Sequence, residues 1–212
     1  NIFLIGSQVW NNNHLTKLTL NNYGDKFYLS DLFHLTSLKE LSINHVEILD
    51  SMNANIENLR YLESLIINFT NLSGNINVGI GKLEKLIFLS LDHNNLSGMI
   101  PKSLFNLNLL KGLSLDHNQL SGNISKRIGD LKNLTHLHLD ENQFSGVLPK
   151  TIIYLNNLKV LHLSYNDFEK LPNEICNLSL DKIEITLYGN KLCNGEDIPK
   201  CFENQIGFQN CY

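Results

Sequence analysis

The chain has 212 residues, 42% of them hydrophobic and 18% charged, with a net charge of −4. That is enough apolar material for one domain with a sizeable core. The weak acidity gives no electrostatic ground for nucleic-acid binding, and no apolar run approaches the roughly 20 residues that span a bilayer. Asn1 opens the chain without a Met or a signal sequence, so we expect that processing or truncation removed what came first.

At the N-terminus, Ile2, Phe3, Leu4, Ile5, Val9 and Trp10 precede the first regular leucines. They are the candidates for covering an edge that would otherwise recruit other chains. From Leu18 onward a leucine frame takes over. Its first strand position falls at Leu18, Leu41, Leu65, Leu89, Leu113, Leu137 and Leu161, with Ile185 last, in one step of 23 and six of 24 residues. Each of these begins a Leu-x-Leu-like alternation, which puts two side chains on one face of a short strand and the residue between on the other. Stacked coils then pair these strands in parallel at about 4.8 Å, and the inward leucines form a column that no single repeat buries alone.

An Asn closes the pattern at Asn94, Asn118, Asn142, Asn166 and Asn190. Its carboxamide supplies donors and an acceptor to backbone groups left unpaired where the chain leaves the strand. Tyr23, Val46 and Thr70 hold this position in the first three units, so those coils are expected to be less regular. Beyond the Asn come Ser73-Gly74, Ser97-Gly98, Ser121-Gly122 and Ser145-Gly146, with Pro101 and Pro149 following. The pairs Leu104 and Leu107, Ile128 and Leu131, and Ile152 and Leu155 mark brief helical turns on the outer side.

These features together resemble the plant-type leucine-rich repeat, with its Leu-Ser-Gly-x-Ile-Pro segment. The resemblance implies an α/β solenoid: a right-handed superhelix of eight coils of about 24 residues, a parallel concave sheet, short second strands, and helical turns on the convex side. The expected organisation is a single domain with an N-terminal cap over 1–17, repeats over 18–192 and a disulfide-stapled cap over 193–212.

Cys176, Cys193, Cys201 and Cys211 all lie in the last 37 residues, which points to disulfides and an oxidising compartment. Without Cys-x-x-Cys or a nearby His, a zinc site there is disfavoured. The segments around these cysteines also resemble the caps of secreted repeat proteins from microbial eukaryotes. The plant-type resemblance implies a local Cys193–Cys201 bridge, leaving Cys176 with Cys211. The register argues for something else, because Cys201 lies 25 residues past Cys176, about one coil below it. Asn-x-Ser/Thr sequons occur at Asn68, Asn71, Asn95, Asn123, Asn133 and Asn177. Those at Asn71 and Asn95 follow from the repeat's own Asn-Leu-Ser, and the others favour an extracellular chain.

The outward columns of the main sheet are the expected place for function, because such solenoids usually bind there. From these we select Phe88, Asp92, His93, Asp116, His117, His136, His138, Asp140, Glu141, His162 and Tyr165 as candidate ligand-binding residues. His93 with His117, and His138 with His162, should stack about 5 Å apart on neighbouring strands. They could hold a cation or make binding depend on pH, or be a solvated face copied by duplication. Duplication does not explain His136, His138 and His162, which makes them the better metal candidates.

No hydrolase elbow, phosphate loop or metalloprotease motif occurs, and Asp116 and Asp140 are expected on an open surface where their pKa values would not separate. We therefore expect no catalytic residue, no cofactor and no enzyme. The expected role is a secreted or cell-surface module that binds a protein, peptide or glycan. The alternatives are a self-associating structural protein of a surface layer or filament and, by resemblance to polygalacturonase-inhibiting proteins and receptor-like ectodomains, an inhibitor of a secreted polysaccharide-degrading enzyme.

Overall fold

The computed structural model describes residues 6–21, 26–52, 55–202 and 207–211. The expected solenoid is what forms. Strand His14–Asn21 pairs in parallel with Glu40–Asn44, and the sheet continues through Ser64–Asn68, Phe88–Ser90, Gly112–Ser114, His136–His138, Val160–His162 and Glu184–Thr186. Its register aligns Leu18, Leu41, Leu65, Leu89, Leu113, Leu137, Leu161 and Ile185 across the sheet. All but Ile185, which packs partly buried against the core, are at most 1% exposed.

The Ser-Gly segments form the expected second strands. Ser73–Asn75, Asn95–Gly98, Gln119–Gly122, Gln143–Val147 and Asp167–Lys170 make one five-stranded sheet, while Lys26–Phe27 and Glu47–Ile48 pair separately. The convex turns are 3₁₀, including Val78–Lys82, Lys102–Asn106, Lys126–Asp130 and Lys150–Tyr154. A three-residue period suits them, because it eclipses side chains at i and i+3 and so buries Leu104 with Leu107 and Ile128 with Leu131.

The Asn residues tie successive coils together. Asn118 Nδ2 donates to Leu91 O of the previous coil at 2.9 Å and to Leu115 O of its own at 3.1 Å. Its Oδ1 accepts the Leu96 amide at 3.0 Å. The early coils improvise: Thr70 donates its hydroxyl to Asn94 Oδ1, Asn71 Oδ1 accepts the Ile48 amide, and the Asp50 carboxylate accepts those of Leu29 and Ser30. Tyr23 lies outside the described residues.

Of the residues expected to cover the N-terminal edge, Ile2, Phe3, Leu4 and Ile5 lie outside the described residues. Val9 and Trp10 lie in the strand Ser7–Asn11, which covers that edge by pairing antiparallel with His14–Asn21, while both stay about half exposed. At the C-terminus the bridges are Cys176–Cys201 and Cys193–Cys211. This corrects the pairing Cys193–Cys201 with Cys176–Cys211 and follows the coil register.

Cys176 lies in the 3₁₀ turn Asn173–Asn177, and Cys201 sits in the turn Lys200–Phe202 one coil on. Residues 207–211 then run beside the last coil. The Gly189 amide donates to Phe208 O at 2.6 Å, and the Asn210 amide donates to Asn190 O at 2.6 Å. That pairing places Cys211 against Cys193.

Among the sequons, the Asn68, Asn71 and Asn133 side chains are hydrogen-bonded within the fold. Asn95, Asn123 and Asn177 are exposed.

Candidate functional site

The outward columns converge on the concave sheet, and their chemistry changes along it. At the N-terminal end the surface charges are paired, as in Lys17–Glu40 and Lys39–Glu63. From Phe88 onward the four outward positions of each coil, which start at Phe88, Ser90, Asp92 and His93 and recur every 24 residues, contain no Lys or Arg, while Asp92, Asp116, Asp140, Glu141 and Glu184 supply negative charge. A field of one sign attracts ligands of the other.

One column marks where each strand turns away. His45, Phe69, His93, His117, Glu141 and Tyr165 all have left-handed backbone, with φ between 51° and 56°, a conformation that costs side-chain-bearing residues about 1 to 3 kcal/mol. Bonds from coil to coil hold it: the His93 amide donates to Asp116 O at 3.1 Å, and that of His117 to Asp140 O at 3.0 Å. The rings consequently stack. His45–Phe69, Phe69–His93 and His93–His117 centroids are 4.7, 4.1 and 4.0 Å apart, and the run ends where His117 Nε2 meets Glu141 Oε1 at 3.1 Å. His117 Nδ1 faces Asp116 Oδ2 at 3.3 Å, whereas His93 Nδ1 is buried without a hydrogen-bond partner.

A second feature is a gap. In the column Phe88, Gly112, His136, the Phe88 ring leans over the glycine, so that a Cβ at Gly112 would lie 2.9 Å from Phe88 Cδ1. The missing side chain leaves a largely apolar hollow of about 480 Å³ between Phe88 and His136, reaching Ile66, Ser114 and His138. Phe88 stays 50% exposed at its rim.

The third feature gathers His138, Asp140 and His162. The two imidazoles meet edge to face with centroids 4.7 Å apart, close to the expected spacing. His162 Nδ1 lies 3.6 Å from Asp140 Oδ2, and its Nε2 lies 3.1 Å from Glu184 Oε1. Asp140 Oδ1 accepts the Ser164 amide at 2.7 Å and the Thr186 hydroxyl at 3.3 Å.

Asp116 and Asp140 are each only 19% exposed, which corrects the expectation of an open surface: neighbouring coils wall them in. Burial, the largest cause, pushes Asp140 above the usual carboxylate value despite the Ser164 amide and His162. Burial, then His162, lowers His138.

The selected residues thus fall into three groups rather than one. Phe88 and His136 flank the hollow; His93, Asp116, His117 and Glu141 belong to the ring stack; His138, Asp140 and His162 form the cluster. Asp92 is engaged by the Ser90 hydroxyl and by Asn68, whose Oδ1 accepts its amide. Tyr165 stands apart, edge-on to Tyr188 with centroids 6.4 Å apart. His136 is not drawn into the cluster, since its ring is parallel to that of His138 with centroids 6.4 Å apart, and Asp140 takes its place. Gly112, Glu184, Ser164 and Thr186 were missed as contributors. The outward register alone would have found Glu184 and Ser164, one coil beyond His162's neighbours and at the next step of the Asp row.

The Leucine Rich Repeat family model matches residues 85–107, 133–155 and 157–178. No curated protein sequence matches the chain. Among solved structures, the chain is similar to the LRR ectodomain of the plant membrane receptor kinase GASSHO1/SCHENGEN3 from Arabidopsis thaliana, with 33% identity and a TM-score of 0.73 over 84% of this chain and 22% of that one. It is also similar to the Arabidopsis receptor kinase HAESA, solved with the peptide hormone IDA and the co-receptor SERK1, with 30% identity and a TM-score of 0.77 over 91% and 37%. A plant ice-binding protein matches at 27% identity and a TM-score of 0.70 over 77% and 53%. The chain spans between 22% and 37% of the two receptor structures, and the same fold serves dissimilar ligands, so function rests on the site.

Proposed function

The chain belongs to the plant-type leucine-rich repeat proteins, and from that premise we propose that it is an extracellular recognition module whose concave sheet binds a peptide bearing basic or hydroxyl groups. The observation that carries this reading is the pairing of a cation-free acidic row with an apolar hollow beside the exposed Phe88. The hollow takes an apolar or aromatic side chain as an anchor. Asp92, Asp116, Asp140 and Glu141 select the charge beside it, and Tyr165 and Tyr188 extend the surface toward the C-terminal end. The parallel with similar ectodomains supports a peptide ligand, since the HAESA complex holds a peptide hormone. Two disulfides in the cap fit an oxidising, extracellular setting.

The test is selection of binders from a random peptide library on the immobilised chain, followed by calorimetry against Asp116→Lys, Asp140→Lys and Phe88→Ala. Selected peptides should be rich in Lys or Arg next to an aromatic residue. Affinity should fall about tenfold or more for each charge reversal, equivalent to about 1.4 kcal/mol. Unchanged affinity in all three variants would place the binding surface elsewhere.

A further inference from the structure

We propose that His138, Asp140 and His162 form a three-ligand site for a divalent transition ion of the zinc type, with a fourth position open toward the concave face. One ligand atom from each residue can be chosen so that all lie within 4.8 Å of one another. The proposal does not depend on the peptide reading, and either can fail alone.

In the neutral tautomer of His162 whose Nε2–H donates to Glu184 Oε1 at 3.1 Å, the lone pair is on Nδ1. That lone pair faces Asp140 Oδ2 across 3.6 Å. Two acceptors at that separation gain nothing from each other. With metal bonds of about 2.0 to 2.1 Å, however, tetrahedral ligands stand about 3.3 Å apart, so the gap is close to that of two ligands sharing one ion. A carboxylate on the far nitrogen of a ligating His is the usual arrangement for fixing its tautomer and raising its basicity.

Asp140 is prepared in the same way. Its Oδ1 is occupied by the Ser164 amide and the Thr186 hydroxyl, which aims Oδ2 at the shared position. His138 presents its ring at 83° to that of His162, so in-plane lone pairs can converge, and a small rotation closes the remaining distance.

Two further observations support the choice. Ser164 is 3% exposed, and its hydroxyl has no hydrogen-bond partner; such a group beside the cluster is commonly satisfied by a water or an ion. The alternative cluster, His93, Asp116 and His117, is worse suited. Its imidazoles are stacked face to face at 12°, so their lone pairs run parallel instead of converging on one point.

The experiment is titration of the untagged, oxidised 212-residue chain with Zn²⁺ alone by calorimetry, repeated with Co²⁺ for its visible absorption. One equivalent should bind, with Co²⁺ giving the intense bands of four-coordinate geometry. Binding should be lost in His162→Gln and Asp140→Asn and kept in His117→Gln. Because a ligand variant can fail to fold, Glu184→Gln supplies an independent reading. It leaves all three ligands in place and should weaken Zn²⁺ about 10- to 100-fold by loosening His162. No binding by the native chain, binding unchanged in Glu184→Gln and His162→Gln, or binding lost only in His117→Gln would overturn the proposal.

Discussion

Asn166 Oδ1 accepts the amide of Phe144, 22 residues earlier in the chain, at 3.0 Å. The same carboxamide donates to Leu139 O of the previous coil at 2.9 Å and to Leu163 O of its own at 3.3 Å, so one side chain satisfies backbone groups of two coils. With Asn166 only 4% exposed, water cannot replace it. Asn166→Ala should therefore cost about 1 to 3 kcal/mol through orphaned groups, read as a fall in the urea midpoint. Asn94→Ala should cost less on the acceptor side. There the lost donor is the Thr70 hydroxyl, which can rotate, rather than a fixed amide.

Phe168 and Phe88 offer a contrast between core and surface. Phe168 is fully buried, and Phe88 is 50% exposed. Phe168→Ala should lower stability by about 3 to 5 kcal/mol, whereas Phe88→Ala should stay within about 0.5 kcal/mol and act on ligand affinity instead. Paired melting and binding measurements separate the two effects; equal destabilisation would mean that Phe88 supports the fold.

The sequence carried the main-sheet register because that register is a property of repeated burial: each leucine from Leu18 to Leu161 must meet the one before it. It carried the Asn ladder for the same reason. What it did not carry depends on contacts outside the repeat. The left-handed backbone at Phe69, Glu141 and Tyr165 leaves no trace in residue type, since none of the three favours that conformation, whereas His45, His93 and His117 are of a type enriched there. Asp140 looked solvent-facing from its column, yet the Ser164 amide and Thr186 wall it in. Glu184 is legible as an outward position, but its role is not: it stands two columns from the Asp row, and His162 faces both carboxylates, one with each ring nitrogen.

The cap is a case where coil geometry outweighed local proximity. Peptide mapping under non-reducing conditions should recover Cys176 linked to Cys201 and Cys193 linked to Cys211. The closed segments, with separations of 25 and 18 residues, should each contribute about 3 kcal/mol on a chain-entropy basis. Cys193→Ser with Cys211→Ser should release residues 207–211 from the last coil, seen as faster amide exchange at Gly189, which donates to Phe208 O.

Two glycines should respond oppositely to a methyl group. A Cβ on Gly81 would meet Ser103 O at 2.2 Å, a backbone atom of the next coil that cannot move without parting the stack. Gly81→Ala should cost about 1 to 3 kcal/mol. On Gly112 the nearest atom is Phe88 Cδ1 at 2.9 Å, the far end of a side chain free to swing toward solvent. Gly112→Ala should leave stability within about 0.5 kcal/mol while filling the hollow, so its readout is weaker binding of the selected peptides with an unchanged melting midpoint.

Asp140 should make the fold less stable when ionised. Its pKa is raised in the native state, chiefly by burial, so the folded chain holds that proton more tightly than the unfolded one. The stability linked to it is fully present below the ordinary value of 3.8. It is lost as pH rises through the raised native value, leaving the charged carboxylate a liability near pH 7. Asp140→Asn keeps an oxygen to accept the Ser164 amide and the Thr186 hydroxyl while removing the charge. In metal-free buffer it should raise the melting midpoint near pH 7, and the gain should vanish near about pH 3, where the native carboxyl is protonated. His138 shifts the other way: its lowered native value means that stability present above 6.5 is lost as pH falls through that lowered value. A His138→Gln variant should therefore show a shallower decline on the acid side. A midpoint for Asp140→Asn that is lower than the native one near pH 7 would mean that the contacts made by the ionised carboxylate outweigh the burial cost.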